Sequence, residues 1–465
     1  MAKGVKSYEM DMCHGPLMSQ LITFSVPLIL ASNLQLLFNA VDVIVVGRFT
    51  GESALAAVGS TTALINTFIT LLTGISLGTS VLCGQFYAAK RKQSMEDLVH
   101  TCIAFAIVSG ILMGLLGILF AKTALRLMDT PISVLPQANL YMCVYMLGMP
   151  AFMLYTFGAA ILRAVGDTKR PMVYLTLAGV LNAGLNLVFV IVFDMGVLGV
   201  AVATVISQIL SAVLVLRCLM QADGIYKVIP KKLKIKGPLL HQMFRIGLPA
   251  GLQSLVMNFS NILLQSSVNS LGQTAMAGYT AANNLFGFMY VTANSFTQTC
   301  MAFVSQNYGV GNWKRMGEVI RKTILLSAGS MIVMGTLVFF FRDHLLGIYT
   351  DSSDAIKAGA EVFLYTTTTY FIFNIVDLLP GAMRGFGYST IPMILTAAGT
   401  VGVRIFWIYA IFPTYHRLDQ LFISYPASWI VTLLMLVIYF VHVWKKSTAE
   451  YYAHHKTLAE ANAEA

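Results

Sequence analysis

The sequence predicts an all-α polytopic membrane protein: twelve transmembrane helices in two six-helix bundles related by a pseudo-two-fold axis along the membrane normal. Three observations carry that expectation. The 465-residue chain is 57% hydrophobic and only 11% charged, with a mean hydropathy of +0.74, whereas soluble domains carry about 25% charge. Its apolar residues fall in twelve long stretches, and the second six stretches repeat landmarks of the first six. A helical span needs about 20 apolar residues, so twelve need roughly 240, and the composition supplies about 265. The longest hydrophilic interruption, about residues 217–245, is too short to build a domain core. An autonomous soluble enzyme domain is therefore excluded.

The stretches run over about 17–47, 53–84, 97–121, 133–162, 171–193, 197–220, 239–270, 275–306, 319–341, 355–383, 392–413 and 420–444. They are continuously apolar, unlike the alternating ten-residue strands of a membrane barrel. With both termini on one side, that side holds 23 Lys and Arg residues and the other holds six, with Arg404 inside a span. Such a split is a positive-inside signal. It assigns both termini of a multi-pass chain in the cell (inner) membrane to the cytoplasm, and explains the net charge of +10 without nucleic acid. The six cysteines are scattered singly and read as small apolar residues. Residues 1–15 lack the short apolar core of a removable signal peptide.

The repeat is read residue by residue. Gly15-Pro16-Leu17 recurs as Gly237-Pro238-Leu239, Pro27 as Pro249 and Asn39 as Asn261, all 222 apart. After one residue of slip the spacing holds at 221, matching Gly51 with Gly272, Gln85 with Gln306, Tyr87 with Tyr308, Arg163 with Arg384 and Gly166 with Gly387. The expected organisation is an N-lobe (1–216), a cytoplasmic linker (217–238), a C-lobe (239–446) and a cytoplasmic tail (447–465). Six helices per half means both halves enter the membrane the same way, which predicts a cavity between paired bundles. That is how alternating-access transporters are built, and it points to a monomer rather than a ring of subunits. Its partners are then the lipid bilayer and small organic molecules.

A charge at bilayer depth costs about 2.5–3.5 kcal/mol, so each one needs a reason. Asp42 shares a helical face with Gln35 and Asn39 on the first span, and Asn182 and Asn186 share a face on the fifth. Thr204 lies in the sixth. Asp377 shares a face of the tenth with Asn374 and Tyr370, and Arg404 sits in the eleventh. Asp42 has Leu264 at its repeat position and Asp377 has Thr156, so the scaffold is duplicated while its acids are not. Two readings of Asp377 stand side by side: contact with a cationic substrate or ion, or a structural ion pair with Arg404. The seventh span carries Asn258, Asn261 and Gln265 at helical spacing, and the eighth carries Asn283, Tyr290 and Asn294. Lipid-facing amides are costly, so these stripes are expected to face a substrate cavity, with Met257, Phe38, Tyr155, Phe286 and Phe288 as candidate walls. Pro27 and Pro249 lie inside overlong first helices of each half, where a missing backbone hydrogen bond permits either a hinge or a static kink.

Val41-Asp42, Val46-Gly47-Arg48-Phe49, Ala54-Leu55-Ala56-Ala57-Val58-Gly59, Gln85-Phe86-Tyr87 with its copy Gln306-Asn307-Tyr308, and Leu162-Arg163-Ala164-Val165-Gly166-Asp167 with its copy Met383-Arg384-Gly385-Phe386-Gly387-Tyr388 together resemble the multidrug and toxic compound extrusion (MATE) family. The resemblance runs from about Gly15 to Lys446. It implies a secondary antiporter that exports amphipathic, mostly cationic organic compounds in exchange for Na+ or H+, with no cofactor besides that coupling ion. It also implies a cation site formed by Asp42, Asn182 and Thr204, with Asn186 where some members have a second Asp. One carboxylate among amide and hydroxyl oxygens suits a small hard cation or a single proton. Asp377 matches an acid found in the second lobe of some members, but the seventh-helix acid that accompanies it is missing from Val256-Met257-Asn258.

The alternative is a lipid-linked oligosaccharide flippase of the wider superfamily, whose anionic cargo calls for Arg and Lys in the cavity. An enzyme is not expected: Gly74-Ile75-Ser76-Leu77-Gly78 fits the GxSxG pattern, but it lies inside a helix rather than on a strand-to-helix turn. Small residues at that spacing serve close helix packing instead.

Overall fold

A computed structural model describes residues 8–464, with side chains up to Tyr451 and at Ala453. Lys3 and Lys6 lie outside the described residues, as do the side chains of His454, His455 and Lys456. Among the described residues there is no strand. The first six spans are α1 (Leu17–Phe49), α2 (Glu52–Ala88), α3 (Lys92–Leu127), α4 (Leu135–Leu147) continuing into α5 (Met149–Ala164), α6 (Lys169–Val192) and α7 (Gly196–Met220). The second six are α8 (Gly237–Asn269), α9 (Gln273–Gly309), α10 (Trp313–Phe340), α12 (Ser353–Thr367) continuing into α13 (Tyr370–Gly385), α14 (Thr390–Tyr415) and α15 (Leu418–Glu464). A short helix, α11 (Arg342–Gly347), precedes α12. Ten of these twelve qualify as spans by length and composition when each bent pair counts once. The other two, α8 and α9, are the helices that carry the Asn and Gln stripes.

The duplication extends to backbone geometry. Gly51 and Gly272 adopt φ of +91° and +97° before α2 and α9, and Gly166 and Gly387 both adopt +97° after α5 and α13. These are left-handed turns that only glycine makes without a steric cost. The two sharp bends are also repeat-related: 47° between α4 and α5 at Gly148, and 50° between α12 and α13 at Thr368 and Thr369. At the first, Pro150 has no N–H to donate to the carbonyl four residues back. At the second, Thr366, Thr367, Thr368 and Thr369 each turn a hydroxyl onto a carbonyl four residues back, a competition that bends helices. By contrast, α1 and α8 run through Pro27 and Pro249 unbroken.

The chain packs as two units, Met1–Gly251 and Leu252–Ala465. The dividing point falls inside α8 because its first turns pack on α2 in the first unit. A Cβ placed on Gly74 would stand 2.3 Å from the Gly251 Cα, and one on Gly78 would stand 2.3 Å from the Met243 carbonyl oxygen. The GxSxG pattern is thus a helix-packing groove, and Ser76 donates its hydroxyl to the Thr73 carbonyl within α2 at 2.7 Å. The linker is strapped to the start of α3. Lys232 reaches Glu96 at 2.5 Å, Lys236 reaches Asp97 at 2.6 Å, and the Ile229 N–H donates to His100 Nε2 at 3.0 Å. Hydrogen bonds from these lysines hold the Glu96 and Asp97 carboxyls below the usual carboxylate range. Glu9 accepts from the Tyr87 hydroxyl at 2.6 Å and the Tyr226 hydroxyl at 2.7 Å, tying the start of the chain to α2 and the linker.

In the second unit α13 lies against α9, with Gly381 facing Thr297 and Gly385 facing Val304. Tyr370 and Phe373 of α13 pack on Trp429 of α15, ring centroids 5.9 and 5.3 Å apart.

The α2–α8 contact generates a prediction. Gly78→Leu should destabilise the purified protein by about 1–3 kcal/mol through overpacking, read as a lowered thermal midpoint. Gly59→Ala, on the same helix but with nothing within 4 Å of a Cβ, should leave the midpoint unchanged.

Candidate functional site

In the first unit the structure joins four sequence-predicted residues into one hydrogen-bonded chain. Asn186 on α6 donates its amide to Asp42 Oδ1 on α1. The same Nδ2 lies 3.3 Å from Asn182 Oδ1, one turn earlier on α6, and Asn182 Nδ2 donates to Thr204 Oγ1 on α7 at 3.3 Å. Thr204 ends the chain by donating to the Val200 carbonyl at 2.9 Å. Helical spacing on α6 puts Asn182 and Asn186 on one face, so a single face connects α1 to α7. Asn186 is fully buried, and its Oδ1 has no hydrogen-bond partner among the described residues. That oxygen is a ready acceptor beside a carboxylate. Gln35 and Asn39, on the turns before Asp42, are exposed and do not join the chain.

Two tyrosines of α4 complete the surroundings of Asp42. The Tyr141 and Tyr145 phenols stand within electrostatic reach of its carboxylate, and Gln208 of α7 hydrogen-bonds Tyr145. Sequence reasoning missed all three. The signal that singled out Asp42 was available for them too: their repeat positions hold Val362, Thr366 and Trp429. Among the described residues no three His, Cys, Asp or Glu side chains converge as a metal cluster, so this node offers one carboxylate and neutral oxygens.

The second unit encloses a cavity of about 290 Å³. Of the sequence-predicted residues, Asn258, Asn261, Asn283, Tyr290, Tyr370 and Asp377 line it. Met257 and Phe286 supply the apolar wall expected of them, together with Phe373 and Trp429, which sequence reasoning did not select. Phe38 and Tyr155 belong to the first unit: Phe38 packs over Gly179, and Tyr155 donates to the Pro171 carbonyl at 3.1 Å.

Three other expectations need correction. Gln265 does not line the cavity; its amide is spent on Asn269 at 2.8 Å. Asn294 is not among the lining residues either: it accepts from Gln298 at 2.9 Å one turn along α9 and turns its amide to Asp377. Asn374 is fully buried behind the wall, and among the described residues neither of its amide atoms has a hydrogen-bond partner.

Asp377 and Arg404 both line the cavity, yet among the described residues they form no ion pair. Asp377 Oδ2 accepts from Thr297 at 2.8 Å. Arg404, only 2% exposed, donates to Ser428, Ser260 and Asn261 at 3.4 Å each and lies 4.2 Å from the centre of the Tyr425 ring. Its charge is shared among hydroxyl, amide and π-electron density, and the guanidinium within electrostatic reach of Asp377 is instead that of the buried Arg384. Gln253, also missed, accepts from the buried Arg384 guanidinium at the cavity edge.

Comparison with known proteins then decides the family. The MatE family model matches residues 27–188 and again 249–410, beginning in each half at the repeat-related proline. The chain belongs to the MatE family, whose name abbreviates multidrug and toxic compound extrusion. A probable multidrug resistance protein of Bacillus subtilis, YoeA, is 29% identical over 91% of this chain and 93% of its own length. The multidrug export protein MepA of Staphylococcus aureus is 24% identical over 82% of this chain and 85% of its own. Among solved structures, an outward-facing multidrug resistance MATE family transporter of the MOP superfamily superposes with a TM-score of 0.86 at 19% identity, covering 96% of this chain and 98% of its own. This MatE chain is therefore a polytopic transporter built from two six-helix bundles.

The buried amide of Asn374 yields a prediction. Removing an unpartnered buried polar group for an apolar one of similar size is neutral or stabilising. Asn374→Leu should therefore hold or raise the thermal midpoint of the purified transporter. A fall of several degrees would mean the amide has a partner that the hydrogen-bond pattern omits.

Proposed function

We propose that this MatE protein is a multidrug exporter that expels amphipathic, chiefly cationic organic compounds in exchange for Na+ or H+, and that Asp42 carries the coupling ion. The observation that carries the reading is the continuous chain from Asp42 through Asn186 and Asn182 to Thr204. A lone carboxylate at bilayer depth is costly, and neutral amides offset that cost without cancelling the charge. A proton on the carboxyl or a small hard cation among these oxygens cancels it. The spare Asn186 Oδ1 and the nearby tyrosine phenols supply further oxygens for such a cation.

The cargo site is the cavity of the second unit. Asp377 contributes a negative charge there, and Tyr290, Tyr370 and Phe286 contribute aromatic faces, a combination that attracts organic cations. Met257 adds a flexible apolar surface that tolerates varied shapes. An anionic lipid-linked cargo would call for a cluster of basic side chains. The lining holds one arginine, already engaged by Tyr425 and neighbouring hydroxyls.

Exchange requires that binding of ion and cargo be mutually unfavourable, and by linkage the effect is reciprocal. Cargo loads from the cytoplasm or inner leaflet while Asp42 is ionised and vacant. Ion arrival on the outer side then weakens cargo binding and releases it. Pro27, whose missing N–H spares the Thr23 carbonyl its helical partner, is the point where α1 bends as Asp42 changes state; Pro249 holds the same position in α8. The chain works as a monomer in the cell membrane, with both termini cytoplasmic as the Lys and Arg distribution assigns.

Efflux of a fluorescent organic cation from proteoliposomes under imposed Na+ or pH gradients tests this. Asp42→Asn should abolish the acceleration by either gradient while leaving protein yield intact. Asp377→Asn should lower the efflux of cationic cargo severalfold and spare a neutral one. Undiminished gradient-driven efflux in Asp42→Asn would reject the coupling role.

A further inference from the structure

A second cavity lies away from both sites, on the outer face of the second unit between α10 and α15. It is a groove of about 480 Å³. On α10 its lining residues follow helical spacing from Gly317 through Ile320 and Arg321 to Ile324, and on α15 from Phe440 and Val441 to Trp444 and Lys445. Gly317 faces the Trp444 ring, and a Cβ there would stand 3.7 Å from it, in ordinary contact, so a longer side chain would extend into the groove. Trp444 is held in place by Trp313 and Phe440, with ring centroids 5.3 and 5.6 Å away.

The groove also carries charge. Arg321 and Lys445 are exposed, line the same groove, and make no ion pair among the described residues. The neighbouring Lys446 is different, sitting 4.0 Å from Glu450. The rest of the lining is aliphatic or aromatic. Two unneutralised cations on the lining of an apolar trough, beside an indole, supply the three chemistries of one membrane leaflet: phosphate, interface, hydrocarbon. Lys445 lies towards the end of α15 that the Lys and Arg distribution assigns to the cytoplasm.

We infer that this groove is a binding site for an anionic phospholipid of the surrounding leaflet, its phosphate on Arg321 and Lys445 and an acyl chain along Ile320, Ile324 and Phe440. A zwitterionic lipid fills the trough equally well but brings its own cation against two fixed ones. The selectivity therefore comes from the basic pair, at about fivefold per residue and about thirtyfold for both together. The inference uses none of the residues of the ion node or the cargo cavity, so it stands whether or not Asp42 couples transport.

The test is quenching of tryptophan fluorescence by brominated lipid in vesicles containing the full-length protein. The Trp444 contribution is isolated as the component lost in Trp444→Phe. In wild type, brominated phosphatidylglycerol should quench that component at a surface fraction many-fold lower than brominated phosphatidylcholine. In the double variant Arg321→Gln, Lys445→Gln the preference should shrink towards one, while the charge-keeping pair Arg321→Lys, Lys445→Arg should retain it. Equal quenching by both lipids in wild type would overturn the proposal, as would an undiminished preference in the double Gln variant. If the Gln pair fails to insert, Gly317→Leu fills the groove with both charges in place and should abolish the quenched component; persistence there would overturn the proposal equally. Soluble glycerol phosphate should not displace the brominated lipid, and displacement would reassign the pair to a free anion.

Discussion

Polar groups within hydrocarbon must find their partners inside the protein, and this constraint governs what the two units do with their few charges. In the first unit an acid is wired by amides to a hydroxyl. Hydrogen bonds between membrane helices average about 0.6 kcal/mol, so the two interhelical ones, Asn186 to Asp42 and Asn182 to Thr204, give roughly 1 kcal/mol. An ionised carboxylate at that depth costs about 2.5–3.5 kcal/mol. The comparison leaves the charge undercompensated, which is the condition under which a single proton or cation alters the balance of states. A full ion pair would have removed that sensitivity.

The second unit meets the same constraint with the opposite arrangement. Asp377 and Arg404 line one cavity but are satisfied separately, the acid by Thr297 and the base by hydroxyls, an amide and the Tyr425 ring. Keeping them apart preserves a negative and a positive pole on a wall that is otherwise amide and aromatic. Around both sites the scaffold is duplicated down to its left-handed glycines and its paired helix bends. Repetition is confined to the framework: Asp42, Tyr141 and Asp377 correspond to Leu264, Val362 and Thr156 in the other copy. The same backbone thus carries two chemistries because only the side chains at its polar positions have diverged.

Much of this was legible in the sequence. Hydropathy and charge distribution determine the span count because burying twenty apolar residues is a strong, additive signal, and the repeat determines the grouping by six. Asp42 was legible because charge is rare at that depth, and Asn182 and Asn186 because helical spacing aligns their amides; Thr204 and the grouping of the four were legible only through the family resemblance. Spacing fails where a partner lies on the same helix. Gln265 fits the stripe, yet its amide is spent on Asn269 four positions along, and Asn294 is shared between Gln298 and Asp377. The bends escaped notice because prolines at Pro27 and Pro249 drew attention from Pro150 and the run of threonines before Tyr370. Whether Asp377 meets Arg404 depends on side-chain direction between helices, which one-dimensional spacing does not contain.

The central claim is that occupancy of one carboxyl, on Asp42, is what cargo and coupling ion compete through. Cargo-induced release of the bound ion from purified protein tests it without any membrane gradient: proton release in weakly buffered solution, and release of radioactive Na+ by equilibrium dialysis. Wild type should release close to one H+ or one Na+ per cargo molecule bound. Asp42→Asn should bind cargo and release neither ion. Release by Asp42→Asn equal to that of wild type would contradict the account.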